Sequence, residues 1–242
     1  MSTERRHIVV GGLPIQIVRK AIKNLHLGVY PPNGRVRVAV PTTVSDAAVR
    51  VAVVGKLGWI KRQRARFAAQ ARQSKREMAA GESHYLFGRR YRLRIVAGGR
   101  AGKIVVCGNS VIELHDSVGM DGGQRERSLQ RWYRQQLKAL VPDVLNKWQA
   151  TLGVQVAGWT IKKMKTKWGS CNPESRRIWL NLELAKKPVQ CVEYLIVHEL
   201  VHLIERRHND RFMSIMDEHL PQWRLRRAEL NAAPLAHEDW TY

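Results

Sequence analysis

The sequence is poor in several features that would assign it to a structural class at once. Cysteine occurs three times in 242 residues, as Cys107, Cys171 and Cys191, and this odd, widely spaced set fits a reducing compartment better than a disulfide framework. No run of 18 apolar residues is present, so no ordinary membrane-spanning helix is expected. Near the amino terminus, the apolar residues 8–10 are followed at once by glycines and Pro14, which argues against a secretory signal. We therefore expect a cytoplasmic protein with no membrane partner.

Acidic residues are also scarce. The chain has 20 Asp and Glu against 42 Lys and Arg, which gives a net charge of +22. A surface this positive attracts anions and suits nucleic acid, nucleotides or an acidic protein, but the total charge does not choose among them. A hydrophobic content of 44% argues against a disordered chain.

The first half of the chain reads as β-rich. Alternating apolar residues predict strands over 15–18, 25–29, 36–40, 91–96, 103–106 and 110–114, with a turn at 31–34. Between these strands, Ser45 and Asp46 are suited to cap a long helix that runs toward Glu77.

The second half of this predicted helix is strongly basic. Four of its cations fall near one stripe that could follow a phosphate backbone, although basic residues are equally common on an ordinary solvated helix face. The four residues are Lys61, Arg64, Arg72 and Lys75.

A polar turn at Met120–Gly123 is the best candidate for a domain boundary. It divides the chain into a β-rich domain, residues 1–122, and a second domain, residues 123–242. The second domain is expected to begin with a helix from Ser128 to Trp148, broken or kinked near Pro142. A strand over 154–163, a turn at 168–171, a strand over 177–181, a motif helix and a last helix beyond Pro221 should follow. The predicted fold class is α+β.

The most informative segment is the HExxH motif at residues 198–202. His198 and His202 are four residues apart, so on a helix both imidazoles lie on one face and can reach one metal ion, with Glu199 beside them. Catalytic Zn²⁺ takes three protein ligands and leaves a fourth position for water, whose proton a neighbouring carboxylate can accept. This spacing predicts a hydrolytic zinc site with Glu199 as the general base.

The third ligand has two candidates. His208 lies ten residues after His198, too far along a straight helix to share a metal, so the helix must end near Glu205 and the chain must turn back. Asn209 or Asp210 could then cap a new helix. Glu205 is the alternative because it lies on the same helical face as the two histidines.

Two less specific interpretations accompany the motif. The histidines could simply pack or cap a helix, but the apolar segment 191–197 that leads into the motif favours a helix buried in a core. Cys171 could be mistaken for a nucleophile or a metal ligand. Because no second cysteine or catalytic base accompanies it in sequence, we expect a small side chain beside the site.

Several segments together resemble the YgjP-like zinc metallopeptidases, relatives of the SprT-like proteases. The resemblance covers most of the chain and is strongest at residues 167–172, 177–181 and 193–208, with Phe212 and residues 221–223 beyond them. Weaker similarity in the amino-terminal half lies at residues 36–41, 59–61 and 87–91.

The resemblance implies one Zn²⁺ per chain, with His198, His202 and His208 as ligands and Glu199 as base. It also implies a compact zincin-like catalytic domain in which an edge strand near 177–181 holds an extended peptide by strand addition, with Trp179 and Asn181 as substrate contacts. A protein or peptide is therefore the expected substrate. Two alternatives stay open: a metal-dependent nucleoside triphosphate pyrophosphatase of the UTP type, and a DNA-associated protease of the SprT type.

Overall fold

The protein has an α+β fold, as predicted, and the chain separates into two compact units. The computed structural model describes residues 5–30, 34–69, 77–164 and 167–232. The units are Met1–Ala71 and Arg72–Tyr242. Within the described residues, no helix is both long and apolar enough to cross a membrane.

The first unit is a four-stranded sheet with helices on one face. Its strands are β1 (Arg5–Val10), β2 (Leu13–Lys20), β3 (His26–Tyr30) and β4 (Arg35–Pro41), in the order β1-β2-β4-β3, with β2 and β4 parallel. Alternate residues of β4 are buried in one core with residues of helices α1 (Asp46–Val54) and α2 (Leu57–Ala69). The sequence prediction omitted β1.

The long helix predicted between residues 46 and 77 is wrong in its extent. Ser45 caps α1 as expected, accepting a hydrogen bond from the backbone N–H of Ala48. The helix ends at Val54, a second helix begins at Leu57, and Glu77 is not helical. Of the predicted basic stripe, Lys61 and Arg64 lie on α2, whereas Arg72 and Lys75 lie outside the described residues.

The second unit contains a second four-stranded sheet, which the sequence analysis had assigned to the amino-terminal domain. Its strands are β5 (Ser83–Leu86), β6 (Arg89–Val96), β7 (Ile104–Cys107) and β8 (Val111–His115), in the order β5-β6-β8-β7. Leu93 and Ile112 belong to the same hydrophobic core as Leu137 and Ile196. The compact units therefore divide near residue 71, and the division into functional domains at 122 stays a prediction.

Helix α3 (Gly122–Leu152) begins at the predicted boundary and runs without a break for 31 residues. Asp121 caps it in a reciprocal capping box with Gln124. The helix is therefore not broken near Pro142, which lies within it, and the alternative of a kink there stays a prediction.

A three-stranded sheet follows and precedes the motif helix. Its strands are β9 (Gly158–Lys162), β10 (Gly169–Asn172) and β11 (Arg177–Asn181), in the order β10-β11-β9. Two predictions are corrected here. Residues 169–171, which were expected in a turn, form β10, and β11, expected at an edge, is the central strand. The edge strand that contacts the motif helix is β10.

The remaining elements are helical. A short 3-10 helix (Leu182–Lys186) leads to the motif helix α4 (Val189–Val201), which is followed by α5 (Asp210–His219) and the expected last helix α6 (Trp223–Ala232).

The turn between β5 and β6 packs against the start of α4. Phe87 and Gly88 donate backbone hydrogen bonds to the carbonyls of Ala185 and Lys186, at 2.8 and 3.3 Å. Gly88 has a φ of +85°, and a Cβ atom at this position would lie 2.8 Å from Cγ and 3.1 Å from Cα of Pro188, the residue that caps α4. Glycine is therefore required both by the backbone angle and by the close approach.

We predict that Gly88→Ala destabilises the protein by about 2–4 kcal/mol, the sum of a left-handed backbone cost and a steric clash. Gly108→Ala is the matched control, because Gly108 has a φ of +57° but open space around its Cα, and should cost only about 1–2 kcal/mol. Urea unfolding of both variants measures the difference. Equal losses would show that the contact with Pro188 does not contribute.

Candidate functional site

The motif helix α4 is a core helix that is exposed at Val189 and Gln190, at its start, and partly exposed at Glu193 and His198. Nine of its 13 residues are buried, including Glu199, and its apolar residues form the centre of the second unit. It ends at Val201, four residues before the predicted end near Glu205, and His202 is its C-cap. His198 and His202 are partly exposed at this end of the helix.

A short turn after α4 brings the chain back toward these histidines. Asn209 caps the next helix, α5, by accepting a hydrogen bond of 3.0 Å from the backbone N–H of Phe212. This cap confirms the predicted second helix start. It places His208, the residue before the cap, beside the end of α4.

The three histidines converge on one point. One ring nitrogen from each of His198, His202 and His208 lies within 4.8 Å of the other two. The Nε2 atoms of His198 and His208 are 3.1 Å apart. The Nδ1 atom of His202 lies 3.1 Å from the carbonyl oxygen of Glu205, which fits a protonated Nδ1 and leaves Nε2 as the free ligand atom. The ring of Phe212 contacts all three imidazoles, with centroids 4.8–5.0 Å away.

The electrostatics of the cluster suit a cation. Burial, followed by the neighbouring histidines, lowers the pKa of His198 to about 3, and burial also lowers the pKa of His202 and of His208. The imidazoles are therefore neutral, which is the form that binds metal. Nδ1 of His198 is a buried polar atom without a hydrogen-bond partner among the described residues. The donor set and its spacing fit Zn²⁺.

Glu205, the alternative third ligand, lies outside this cluster. Its carboxylate accepts a 3.0 Å hydrogen bond from the backbone N–H of Arg207, and this bond lowers the pKa of Glu205. Because α4 ends before Glu205, this residue does not continue the helical face of His198 and His202.

Glu199 is buried beside the histidines, where β10 approaches α4 closely. A Cβ atom on Gly169 would lie 2.8 Å from Oε1 of Glu199 and 3.2 Å from Cδ2 of Leu195. Burial raises the pKa of Glu199 to about 8, an effect that the positive charge of Lys167 opposes. Gly169 therefore gives the Glu199 carboxylate the space that any larger residue would occupy.

Cys171 lies on the same strand and is half-buried. Burial and then the charge of Glu199 raise the pKa of its thiol to about 11. A thiol that stays protonated is a poor nucleophile, which agrees with the expectation of a small side chain beside the site.

The two predicted substrate contacts do not line the cavity at the site. Asn181 is fully buried, and its Nδ2 donates to the carbonyls of Met164 and Lys167, both at 2.8 Å. Asn181 is therefore structural: it holds the segment that presents Lys167. Trp179 lies on the central strand β11, with Nζ of Lys162 4.9 Å from its ring centroid.

A cavity of about 350 Å³ is lined in part by His198, His208 and Glu199. Its lining includes residues that were not predicted as site residues, and these come from the segment before β10, from α4 and from α6. They are Lys167, Tyr194, Trp223 and Arg227. Tyr194 is the only one that local periodicity could have found, because it precedes His198 by four residues and shares its helical face; their ring centroids are 5.8 Å apart.

Comparison with known proteins identifies a family that matches most of the chain. A family model described as "YgjP-like, metallopeptidase domain" matches residues 23–233. Among solved structures, the metallopeptidase zymogen abylysin of Pyrococcus abyssi is similar, at 20% identity and a TM-score of 0.35, over 37% of this chain and 90% of that chain. No curated protein matches the chain.

Proposed function

Because the chain belongs to the YgjP-like metallopeptidase family, we propose that it is a zinc-dependent endopeptidase with one zinc site per chain. His198, His202 and His208 are the proposed ligands, and Glu199 is the proposed general base. The observation that carries this proposal is the convergence of three neutral imidazoles within 4.8 Å, next to a buried carboxylate at the same cavity.

The proposed reaction divides the chemistry between the metal and the chain. When bound, Zn²⁺ supplies Lewis acidity, which polarises a peptide carbonyl and makes water more acidic. The positive charge of a bound Zn²⁺ would oppose the effect of burial on the pKa of Glu199 and favour its ionised form. In that form, the Glu199 carboxylate accepts the proton of the attacking water and returns it to the amine that leaves. Neutral imidazoles hold the cation, and the Glu205 carbonyl orients the ring of His202.

The position of the substrate follows from the sheet. Among the described strands, β10 pairs only with β11, so its other edge is available to an extended peptide. The family favours a peptide bond as the target over the phosphoanhydride bond of a nucleoside triphosphate.

We predict that wild-type protein binds about one zinc per chain and that His208→Ala weakens zinc affinity by at least 10- to 100-fold. Removal of an outer-shell partner alone costs this much, so loss of a ligand should cost no less. Glu205→Ala is the matched control and should keep its zinc. Metal analysis after competition with a chelator measures both variants. Loss of zinc in Glu205→Ala with retention in His208→Ala would reverse the ligand assignment.

We predict that Glu199→Gln keeps zinc and fold but slows hydrolysis of a denatured protein by roughly 10²- to 10⁴-fold, because the amide cannot accept the proton of water. Glu218→Gln, at an exposed carboxylate on α5, serves as the control for the charge change. Near-normal turnover by zinc-loaded Glu199→Gln would contradict the role of Glu199 as base.

A second candidate function, binding of nucleic acid, is favoured by the distribution of charge. The unit Met1–Ala71 contains 13 Lys and Arg against two acidic residues, a net charge of +11, which is half of the total in less than a third of the chain. Asp46 is the only acidic residue among the described part of this unit, and it pairs with Arg6 and Arg19. Among the described residues of this unit, no acidic side chain other than Asp46 is present to offset the remaining positive charge.

Part of this charge lies on the sheet face opposite the helices. Arg35 and Arg37 alternate with the buried valines of β4, and the register places Arg37 beside Gln16 of β2 and Gly28 of β3. A cavity of about 320 Å³ lies here, and Lys20, His26 and Arg37 are part of its lining. We infer that phosphate groups of a nucleic acid backbone bind this face in preference to the basic helix α2.

We predict that the double variant Lys20→Gln, Arg37→Gln weakens nucleic acid binding similarly for all sequences. The slope of log affinity against log salt concentration should fall by about two, one for each phosphate contact that is lost. The double variant Lys61→Gln, Arg64→Gln removes the same charge from α2 and should bind almost as the wild type does. Fluorescence anisotropy with labelled DNA and RNA at several salt concentrations measures both. Equal loss in the two variants would indicate diffuse attraction, and no binding by wild type would exclude this function.

A further inference from the structure

The cavity beside the three histidines has one acidic residue in its described lining, Glu199, which the proposed function assigns to proton transfer. Much of the remaining wall is apolar, including Leu195, Phe212, Met213 and Leu230. Two cations complete it from different elements: Lys167 from the segment before β10, and Arg227 from α6. The cavity is thus an apolar space with positive charge at its rim.

Arg227 differs from the other arginines around it on α6. Arg224 forms an ion pair with Asp217, and Arg226 forms one with Glu229. Arg227 lines the cavity and has no ion-pair partner among the described residues. Its guanidinium is exposed and keeps its planar donor fork available for a ligand.

Lys167 is held in place by the buried Asn181, which accounts for its position at the cavity. Asn181 binds the carbonyl of Lys167 through Nδ2 and donates its own N–H to the carbonyl of Trp168, at 2.8 Å. The Lys167 side chain is exposed and also has no ion-pair partner in the described part of the chain. The backbone that carries this ammonium group is therefore fixed, while the charge itself is available.

The charges of Arg227 and Lys167 both influence the pKa values of the proposed ligands and base. The charge of Arg227 contributes to the lowered pKa of His198 and of His208, and the charge of Lys167 opposes the raised pKa of Glu199. A ligand that is held by these cations would therefore lie next to the reacting groups.

We propose that this cavity selects substrates that present a carboxylate next to the bond to be cleaved, with Arg227 as the main specificity-determining residue and Lys167 as the second. The inference rests on the proposed peptidase function and names its substrate class. A carboxylate matches the fork of Arg227 with two parallel hydrogen bonds, and the apolar wall accommodates the methylene groups that carry it. The carboxylate has two possible sources: an acidic side chain within the peptide, or the carboxyl terminus of the peptide. The second source would keep the metallopeptidase function but make the protein a carboxypeptidase in place of an endopeptidase.

The test measures binding, which does not depend on turnover. Glu199→Gln protein, with and without added zinc, is titrated with short labelled peptides that differ only in Glu against Gln, or in a free against an amidated carboxyl terminus. We expect one carboxylate peptide to bind roughly 10- to 100-fold more tightly than its amide, the range for a hydrogen bond to a charged group. The member of the pair that shows this preference identifies the source.

Variants of the two cations test which residue produces the preference for the carboxylate peptide. When it is added to Glu199→Gln, Arg227→Gln should remove most of this preference, and Lys167→Gln should reduce it. Arg227→Lys should retain part of the preference that Arg227→Gln loses. Lys138→Gln, at an exposed cation of α3 outside the cavity lining, removes the same charge and should leave the preference unchanged. A structural effect of Arg227 would weaken the carboxylate and amide peptides alike.

Three binding results would overturn the inference. The first is equal binding of the carboxylate and amide peptides, and the second is a preference that survives in Arg227→Gln. The third is tighter binding of UTP than of any acidic peptide with the same dependence on Arg227, which would indicate a phosphate site. If the wild type hydrolyses proteins without a carboxylate preference, this inference alone fails. If the preference is present and neither zinc nor hydrolysis is found, the proposed function fails and the carboxylate site remains.

Discussion

The burial of α4 is the constraint on which the site depends. The helix packs against α3, α5, α6, β10 and the 3-10 helix, so that its apolar residues are enclosed from most directions. Such packing restricts the helix to one orientation, and its open end is where His198 and His202 emerge. The approach of β10 at Gly169 and the return of the chain at Asn209 both act on this fixed helix. As a result, Glu199 and His208 line the same cavity.

Local patterns predicted the parts of the site that lie close together in the sequence. The helix that carries His198 and His202, the cap at Asn209 and the return of His208 follow from spacing, capping preference and charge, all within twelve residues. The sequence left His208 and Glu205 as candidates for the third ligand, and the structure groups the ring of His208 with the other two histidines. It misplaced the end of α4, because the turn after Val201 is stabilised by contacts such as the hydrogen bond from Arg207 to Glu205, which no periodicity reveals.

Features that depend on long-range pairing were not predictable in the same way. Residues 177–181 alternate as any half-buried strand does, and only the pairing of β11 with both β9 and β10 shows that it is central. Asn181 looked available for substrate because its partners, Met164 and Lys167, lie 14 to 17 residues away. Arg227 was equally hidden, since it reaches the site from a helix that begins 21 residues after His202. The similarity of distant segments to a family carried information that spacing alone did not.

The net charge of +22 has two parts, the charge of the first unit and the charge at the cavity of the second unit. Half of the excess lies in the unit Met1–Ala71, which contains none of the three histidines and not Glu199. In the second unit, several cations are neutralised by neighbouring acids, as in the pair of Arg224 with Asp217. Charge at the cavity therefore depends on the few cations left without a partner. Because electrostatic attraction between exposed charges is screened within about 10 Å at 0.1 M salt, Lys167 and Arg227, which line the cavity, contribute more to its local field than exposed cations farther away do.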